Sequence, residues 1–190
     1  MPRRASLSWL GAGALAARLT SRSTRVVFSR MARAPSLSAF SQVEADRDGD
    51  GMSDALEQSL LVQFVPQFMV SVRDCAGIPA EIKPGDGPPT VKAENGAIYG
   101  QVFPLSDPAA QPIAEIHYYD LWARDCGADG HALDAEHIAV LVQASGPVLA
   151  TATWKARYWY AAAHEHTVCD VSQIARASTL HAETHGARVW

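Results

Sequence analysis

Three cysteines in 190 residues are too few for a disulfide scaffold, and their spacing matches neither a zinc finger nor a Cys-x-x-Cys pair. No stretch of about 18 apolar residues occurs, so no mature membrane-spanning helix is expected. Nucleophile elbow, phosphate loop and dinucleotide fingerprint are missing, which removes the common hydrolase, nucleotidase and dehydrogenase signatures. Charged residues are scarce at 19% against 48% hydrophobic ones. That balance excludes a disordered polyampholyte and favours one packed domain with extensions.

Acids are missing from one end only. Residues 1–43 carry seven arginines (Arg3, Arg4, Arg18, Arg22, Arg25, Arg30 and Arg33) and no Asp or Glu, leaving nine basic against 20 acidic side chains, and all seven histidines, in the rest. An acidic body lacks the basic footprint that nucleic acid requires and is compatible with holding cations. The basic end reads as an address. Arg3 and Arg4 precede SLSWLGAGALAA, which ends in the small-x-small pattern Ala14-Leu15-Ala16. Export, to the outside or to a periplasm, is the expectation. A mitochondrial presequence is the alternative, since the segment is also rich in Arg and Ser, and Met31 is a possible internal start. In each case residues 1–43 are expected outside the fold, as a disordered or removed leader.

What the chain does have begins at residue 46. DRDGDGMSDALE matches the calcium-loop pattern D-x-[DN]-x-[DN]-G-x5-E through Asp46, Asp48, Asp50, Gly51 and Glu57. A hard divalent ion takes six to eight oxygens, and alternate residues of a tightly curled loop turn their carboxylates inward. Met52 is expected to give its backbone carbonyl, Asp54 to act directly or through water, and Glu57 to reach back with both oxygens. The helix that follows places Leu56, Leu60, Leu61 and Phe64 on one face and ends at Pro66. No helix is expected before the loop, and Ser53 replaces the apolar residue that couples paired EF-hands. The segment therefore resembles a lone thrombospondin type 3 or dockerin-like loop, with Ca2+ as a structural ion.

Beyond Pro66 the periodicity changes to two. Residues 67–73, 97–103, 113–124, 137–143 and 149–161 read as strands between turn-rich stretches such as KPGDGPP. In TATWKARYWY, Ala152, Trp154, Ala156, Tyr158 and Tyr160 are expected on one face. The fold class is thus mostly β (α+β), an antiparallel β-sandwich with one amphipathic helix after the calcium loop. Residues 44–66 form the loop and helix, and 67–190 the sandwich.

If 113–161 makes three antiparallel strands, the loop 125–136 and the segment 162–170 share one end of the sheet. That end collects Asp125, His131, Asp134, Glu136, His164 and His166 with Cys126 and Cys169. A Cys126–Cys169 bridge is expected there, with Cys75 able to replace either partner. Asp134 and Glu136 share parity with Ile138, Val140 and Val142, so both carboxylates point to the apolar side, a costly arrangement without a cation or basic partner. A second divalent cation (Ca2+, Mg2+ or Mn2+) is expected at the 125–136 loop, with His131, Asp125 and then His164 completing its shell. His117 reads as a packed strand residue.

HYYDLWARDCGADGHALDAEHIAVLVQ resembles the Gly-His-x-x-Asp-Trp-Glu region of the necrosis- and ethylene-inducing-peptide-like proteins and the related vacuolar protein sorting 62-like domains. The resemblance, over about residues 97–190, implies a secreted β-sandwich with a cation at one end and metal roles for Asp125, His131, Asp134 and Glu136. Ala135 stands where the family has Trp, and Leu133 where many toxins have His, which weighs against cytolysis. STLHAETHGARVW resembles the strand leading, in sorting-like members, to a Ser-His-Ala segment, so a reading frame ending short of it is expected. The function that follows is an exported, non-enzymatic calcium-binding module whose cations shape a recognition surface for a glycan, lipid headgroup or protein. The alternative is a metal-dependent hydrolase in which His131, Asp134 and Glu136 hold the ion and His164 or His166 moves the proton.

Overall fold

The computed structural model describes residues 24–26, 45–70, 75–83, 85, 90–105, 111–126, 130–163, 165, 168 and 170–189. Helix α1, Asp54–Gln63, starts where Ser53 accepts a hydrogen bond from the Leu56 N–H at 3.3 Å. Asp54 and Glu57 lie in its first turn, where negative charge meets the positive helix end. The N-cap role explains why a polar residue stands at position 53. Phe64 closes the helix two residues before Pro66, and Leu60, Leu61 and Phe64 are buried as the spacing requires.

The strands are β1 (Thr24–Val26), β2 (Gln67–Phe68), β3 (Ala80–Lys83), β4 (Thr90–Glu94), β5 (Ile98–Leu105), β6 (Ile113–Arg124), β7 (Ala132–Ala144), β8 (Trp154–Ala161), β9 (Gln173–Arg176) and β10 (Arg188–Val189). Among the described residues eight of them form one antiparallel sheet in the order β1-β5-β6-β7-β8-β9, with β3 bridging β6 and β4. The opposite layer is α1, the short parallel ladder of β2 and β10, and the turns that carry Ala177, Ala182 and Ala187. Between the layers Met52, Leu60, Leu61 and Phe64 pack with Val102, Ile116, Tyr118, Val140 and Trp159. This is the mostly β, antiparallel architecture with one helix that the periodicity predicts. Of the 1–43 segment, Thr24–Val26 pairs with Ile98–Gly100 at the sheet edge, and the remainder lies outside the described residues.

Two expectations need correction. The β7–β8 register passes from Leu141 opposite Tyr158 to Val142 opposite Ala156, so β8 carries one extra residue, Arg157. This bulge inverts the parity. Trp154 and Ala156 face the core before it and Trp159 after it, which turns Tyr158 and Tyr160 to the outer face rather than inward. The second correction is the disulfide, which joins Cys75 to Cys126 with a Cα separation of 6.0 Å. Ala80 pairs with Leu121, and that contact brings the chain before β3 to the end of β6. Cys169, the partner expected for Cys126, lies outside the described residues. A disulfide points to an oxidising environment. No helix among the described residues is long and apolar enough to cross a membrane.

Within the covering layer the segments leading into β2 and β10 approach closely at Gly186, where an added methyl group would fall on the Val65 carbonyl. The adjacent Ala187 carbonyl accepts the Gln67 N–H at 2.8 Å, so the backbone there has little room to retreat. Gly186→Ala is expected to cost about 1–3 kcal/mol in urea unfolding. Gly146→Ala, whose new methyl group meets nothing within 4 Å, serves as the reference. Equal midpoints for the two variants would show that the approach of β2 and β10 is not constrained.

Candidate metal centre

The loop before α1 is curled by its own carboxylates. Asp46 Oδ1 accepts the N–H groups of Gly49 at 2.8 Å and Asp50 at 3.2 Å, while Oδ2 accepts that of Gly51 at 3.0 Å. Gly49 and Gly51 take φ of 75° and 93°, a region where a side chain is strained. The Asp54 N–H donates to the Ala45 carbonyl at 2.7 Å and closes the loop. Met52 anchors it from within, its side chain 2% exposed in the core and its N–H bonded to Asp50 Oδ1 at 2.8 Å.

This curl brings carboxylate oxygens of Asp46, Asp48 and Asp50 within 4.8 Å of one another, all exposed, a triad that can hold a metal ion. The electrostatics record the crowding. The Gly51 N–H, followed by an opposing effect of desolvation and then the Gly49 and Asp50 N–H groups, sets Asp46 below the ordinary carboxylate value. Desolvation, with the charges of Asp48, Asp46 and Asp54, raises Asp50. Glu57 is pushed up to about 7 by desolvation and then by Asp50, Asp48, Asp54 and Asp46. Asp54 itself turns to Arg47, accepting its backbone N–H at 3.0 Å and pairing with Nε at 3.2 Å.

The expected second cluster is brought together only in part. Asp134 and Glu136 are 0% and 7% exposed on the core side, as parity predicts, and Asp120, opposite Glu136 on β6, is a third buried acid there at 1%. Asp120 shares the parity of Tyr118 and Ile116, a signal present in the sequence. Among the described residues, however, Asp125, His131, Asp134 and Glu136 do not form a three-ligand group. Leu133 has a φ of 62°, and His131 Nδ1 lies 3.0 Å from the Leu133 carbonyl, so the ring is turned onto its own backbone. Asp125 meets His131 through its N–H and the His131 carbonyl, at 2.9 Å. His164 lies outside the described residues. The strand that leads to it ends with Ala161 opposite Ile138, six residues along β7 from Ala132 and so about 20 Å short of the loop.

That early ending builds a different cluster, on the outer face. Ala162 donates its N–H to the His137 carbonyl at 3.0 Å, and Glu165 follows. His137 Nδ1 lies 3.3 Å from Glu165 Oε2, and His137 Nε2 lies 2.9 Å from His117 Nδ1. The Tyr160 hydroxyl donates to Glu165 Oε1 at 2.6 Å. Burial, followed by contacts with Glu165, keeps that phenol above its ordinary value. Compared with protein families, with curated proteins and with solved structures, the chain finds no match in any of the three.

Proposed function

We propose that this protein is an exported recognition module in which Ca2+, bound by the 46–57 loop, fixes α1 onto the sheet and shapes a surface for a glycan, lipid headgroup or protein. The observation that carries the reading is the convergence of the Asp46, Asp48 and Asp50 carboxylates in a loop whose last acid, Glu57, sits in their field. Hard oxygen donors suit calcium, with Glu57 and the Met52 carbonyl as further ligands. Because Met52 and Leu60 belong to one core, an ion that tightens the loop stabilises the whole domain. The disulfide and the Arg-rich start support secretion or a periplasmic location, with a mitochondrial location as the alternative. The resemblance to the necrosis- and ethylene-inducing-peptide-like and sorting-like domains agrees with an exported sandwich. Among the described residues, His131, Asp134 and Glu136, which the hydrolase alternative requires, do not form a three-ligand group.

Calcium at a hundredfold excess over its dissociation constant adds about 2.7 kcal/mol to a protein that binds it only when folded. The double replacement Asp46→Ala and Asp50→Ala is therefore expected to lower the thermal midpoint in calcium and to leave it nearly unchanged in chelator. An equal loss in both conditions would reduce the loop to a turn and end the proposal.

A further inference from the structure

Where β8 carries its extra residue, two consecutive side chains leave the sheet on the same side. Burial alternates from Trp154 to Ala156, then Arg157 and Tyr158 are both exposed before Trp159 returns to the core. A bulge re-aims a side chain in this way. The backbone around it is pinned, since the Ala156 N–H donates to the Glu183 carbonyl at 2.8 Å and the Arg157 carbonyl accepts the Ala177 N–H at 3.0 Å. Across the ladder Arg176, the last residue of β9, stands opposite Tyr158, so a second arginine joins the outer face.

Both arginines are held without being neutralised. Arg157 Nε and Nη2 donate to Gln143 Oε1, Nε at 2.8 Å, which leaves three of its five N–H groups for another partner. Arg176 is set over the Tyr158 ring, its Cζ 5.8 Å from the centroid. Among the described residues the ion pairs use Arg47, Lys92, His117 and His137, and neither Arg157 nor Arg176 takes part in one. Two unneutralised cations on one cavity wall repel each other, and an anion between them removes that cost.

Together with Gln143, Tyr158, Ser178 and Glu183 they line a cavity of about 450 Å³, a size usual for small-molecule sites. Guanidinium grips carboxylate, sulfate or phosphate through paired N–H groups. A bare anion would be repelled by Glu183, whereas a ligand with hydroxyl groups beside its charge can donate to Glu183 and exchange hydrogen bonds with Ser178. An acidic sugar has that combination. An acidic peptide need not carry hydroxyls, and a membrane surface is flat where this site is concave.

We propose that Arg157 and Arg176 bind the carboxylate or sulfate of an acidic glycan in this outer-face cavity, with Gln143 and the Tyr158 ring holding the two guanidiniums in place. The assignment rests on the reading of the chain as a recognition module and gives that module its ligand class. It does not depend on the ion at the 46–57 loop, which belongs to the opposite layer.

Calorimetric titration of the full chain with a hyaluronate oligosaccharide in one arm and a heparin-derived oligosaccharide in the other tests the site and tells carboxylate from sulfate. At least one is expected to bind, and its methyl-esterified or desulfated form about tenfold or more weakly. Arg157→Gln and Arg176→Gln should each weaken binding by a similar factor, while Arg188→Gln, at an exposed position of β10 in the other layer, should leave it unchanged. Circular dichroism checks folding. Arg176, whose side chain rests on the Tyr158 ring, decides the result if Arg157→Gln disturbs the bulge. Unchanged affinity in a folded Arg176→Gln chain, an equal loss in Arg188→Gln, or a parent that binds neither oligosaccharide overturns the proposal, and so does binding of polyglutamate or phosphatidylserine vesicles in their place. If the thermal midpoint responds to calcium while glycan binding ignores both arginines, the calcium loop stands and the glycan site falls. Binding through the arginines without a thermal response to calcium does the opposite.

Discussion

Replacing Phe64 by alanine is expected to destabilise the protein by about 3–5 kcal/mol, the usual cost of removing a fully buried aromatic ring. Phe64 is 0% exposed and stands at the end of α1, where its N–H still bonds to the Leu60 carbonyl. The substitution therefore leaves the helix cap intact and removes only what fills the space between α1 and the sheet. Val62→Ala, on the 49% exposed side of the same helix, should change stability by no more than about 0.5 kcal/mol. Urea unfolding in saturating calcium measures both. A Phe64→Ala loss below about 1 kcal/mol would mean that α1 is not the covering layer of the core.

Calcium affinity is expected to rise by up to tenfold per pH unit between about pH 5 and 7 and then to level off, because the ion must displace the proton that Glu57 holds. Glu57 titrates near 7 in the ion-free fold, against an ordinary value of 4.5. Burial and the four neighbouring aspartates raise it. The folded state thus binds this proton more tightly than the unfolded chain does. Its contribution to stability is complete below the unfolded value, and is lost as pH rises through about 7 in the absence of metal. Glu57 is half-buried, so solvent screening keeps that loss small. Bound calcium reverses the dependence by stabilising the ionised form. Titrations across this range, repeated with Glu57→Gln, should show a steep and then flat profile for the parent and a nearly flat, weaker one for the variant. An affinity independent of pH in the parent would place Glu57 outside the ion's reach.

Features set by neighbouring residues were legible in the sequence. The loop, the α1 face of Leu60, Leu61 and Phe64, and the inward parity of Asp134 and Glu136 all follow from spacing within one element. What was not legible depends on one residue or on pairing between distant segments. Nothing in TATWKARYWY marks Arg157 as the extra residue, yet it reverses where Tyr158 and Tyr160 point. His117 and His137 are twenty positions apart and meet only because β6 and β7 pair in one register. Their shared outward parity was available, but the partner of neither could be read without that register. The short strands β4, β9 and β10 were hidden for another reason. Their residues are mostly exposed and show little apolar alternation.

The Cys75–Cys126 bond also sets how the molecule yields to force. The bond spans 51 residues and encloses β3, β4, β5 and β6 within one covalent loop. Tension applied at the two ends of the chain passes through the sulfur atoms and bypasses that loop. Under oxidising conditions a fully pulled chain therefore stays about 170–180 Å shorter than its reduced form, the reach of the enclosed segment. The enclosed strands bear no load along the backbone, so mechanical resistance has to come from the elements outside the loop, which among the described residues include β1, α1, β2, β7, β8, β9 and β10.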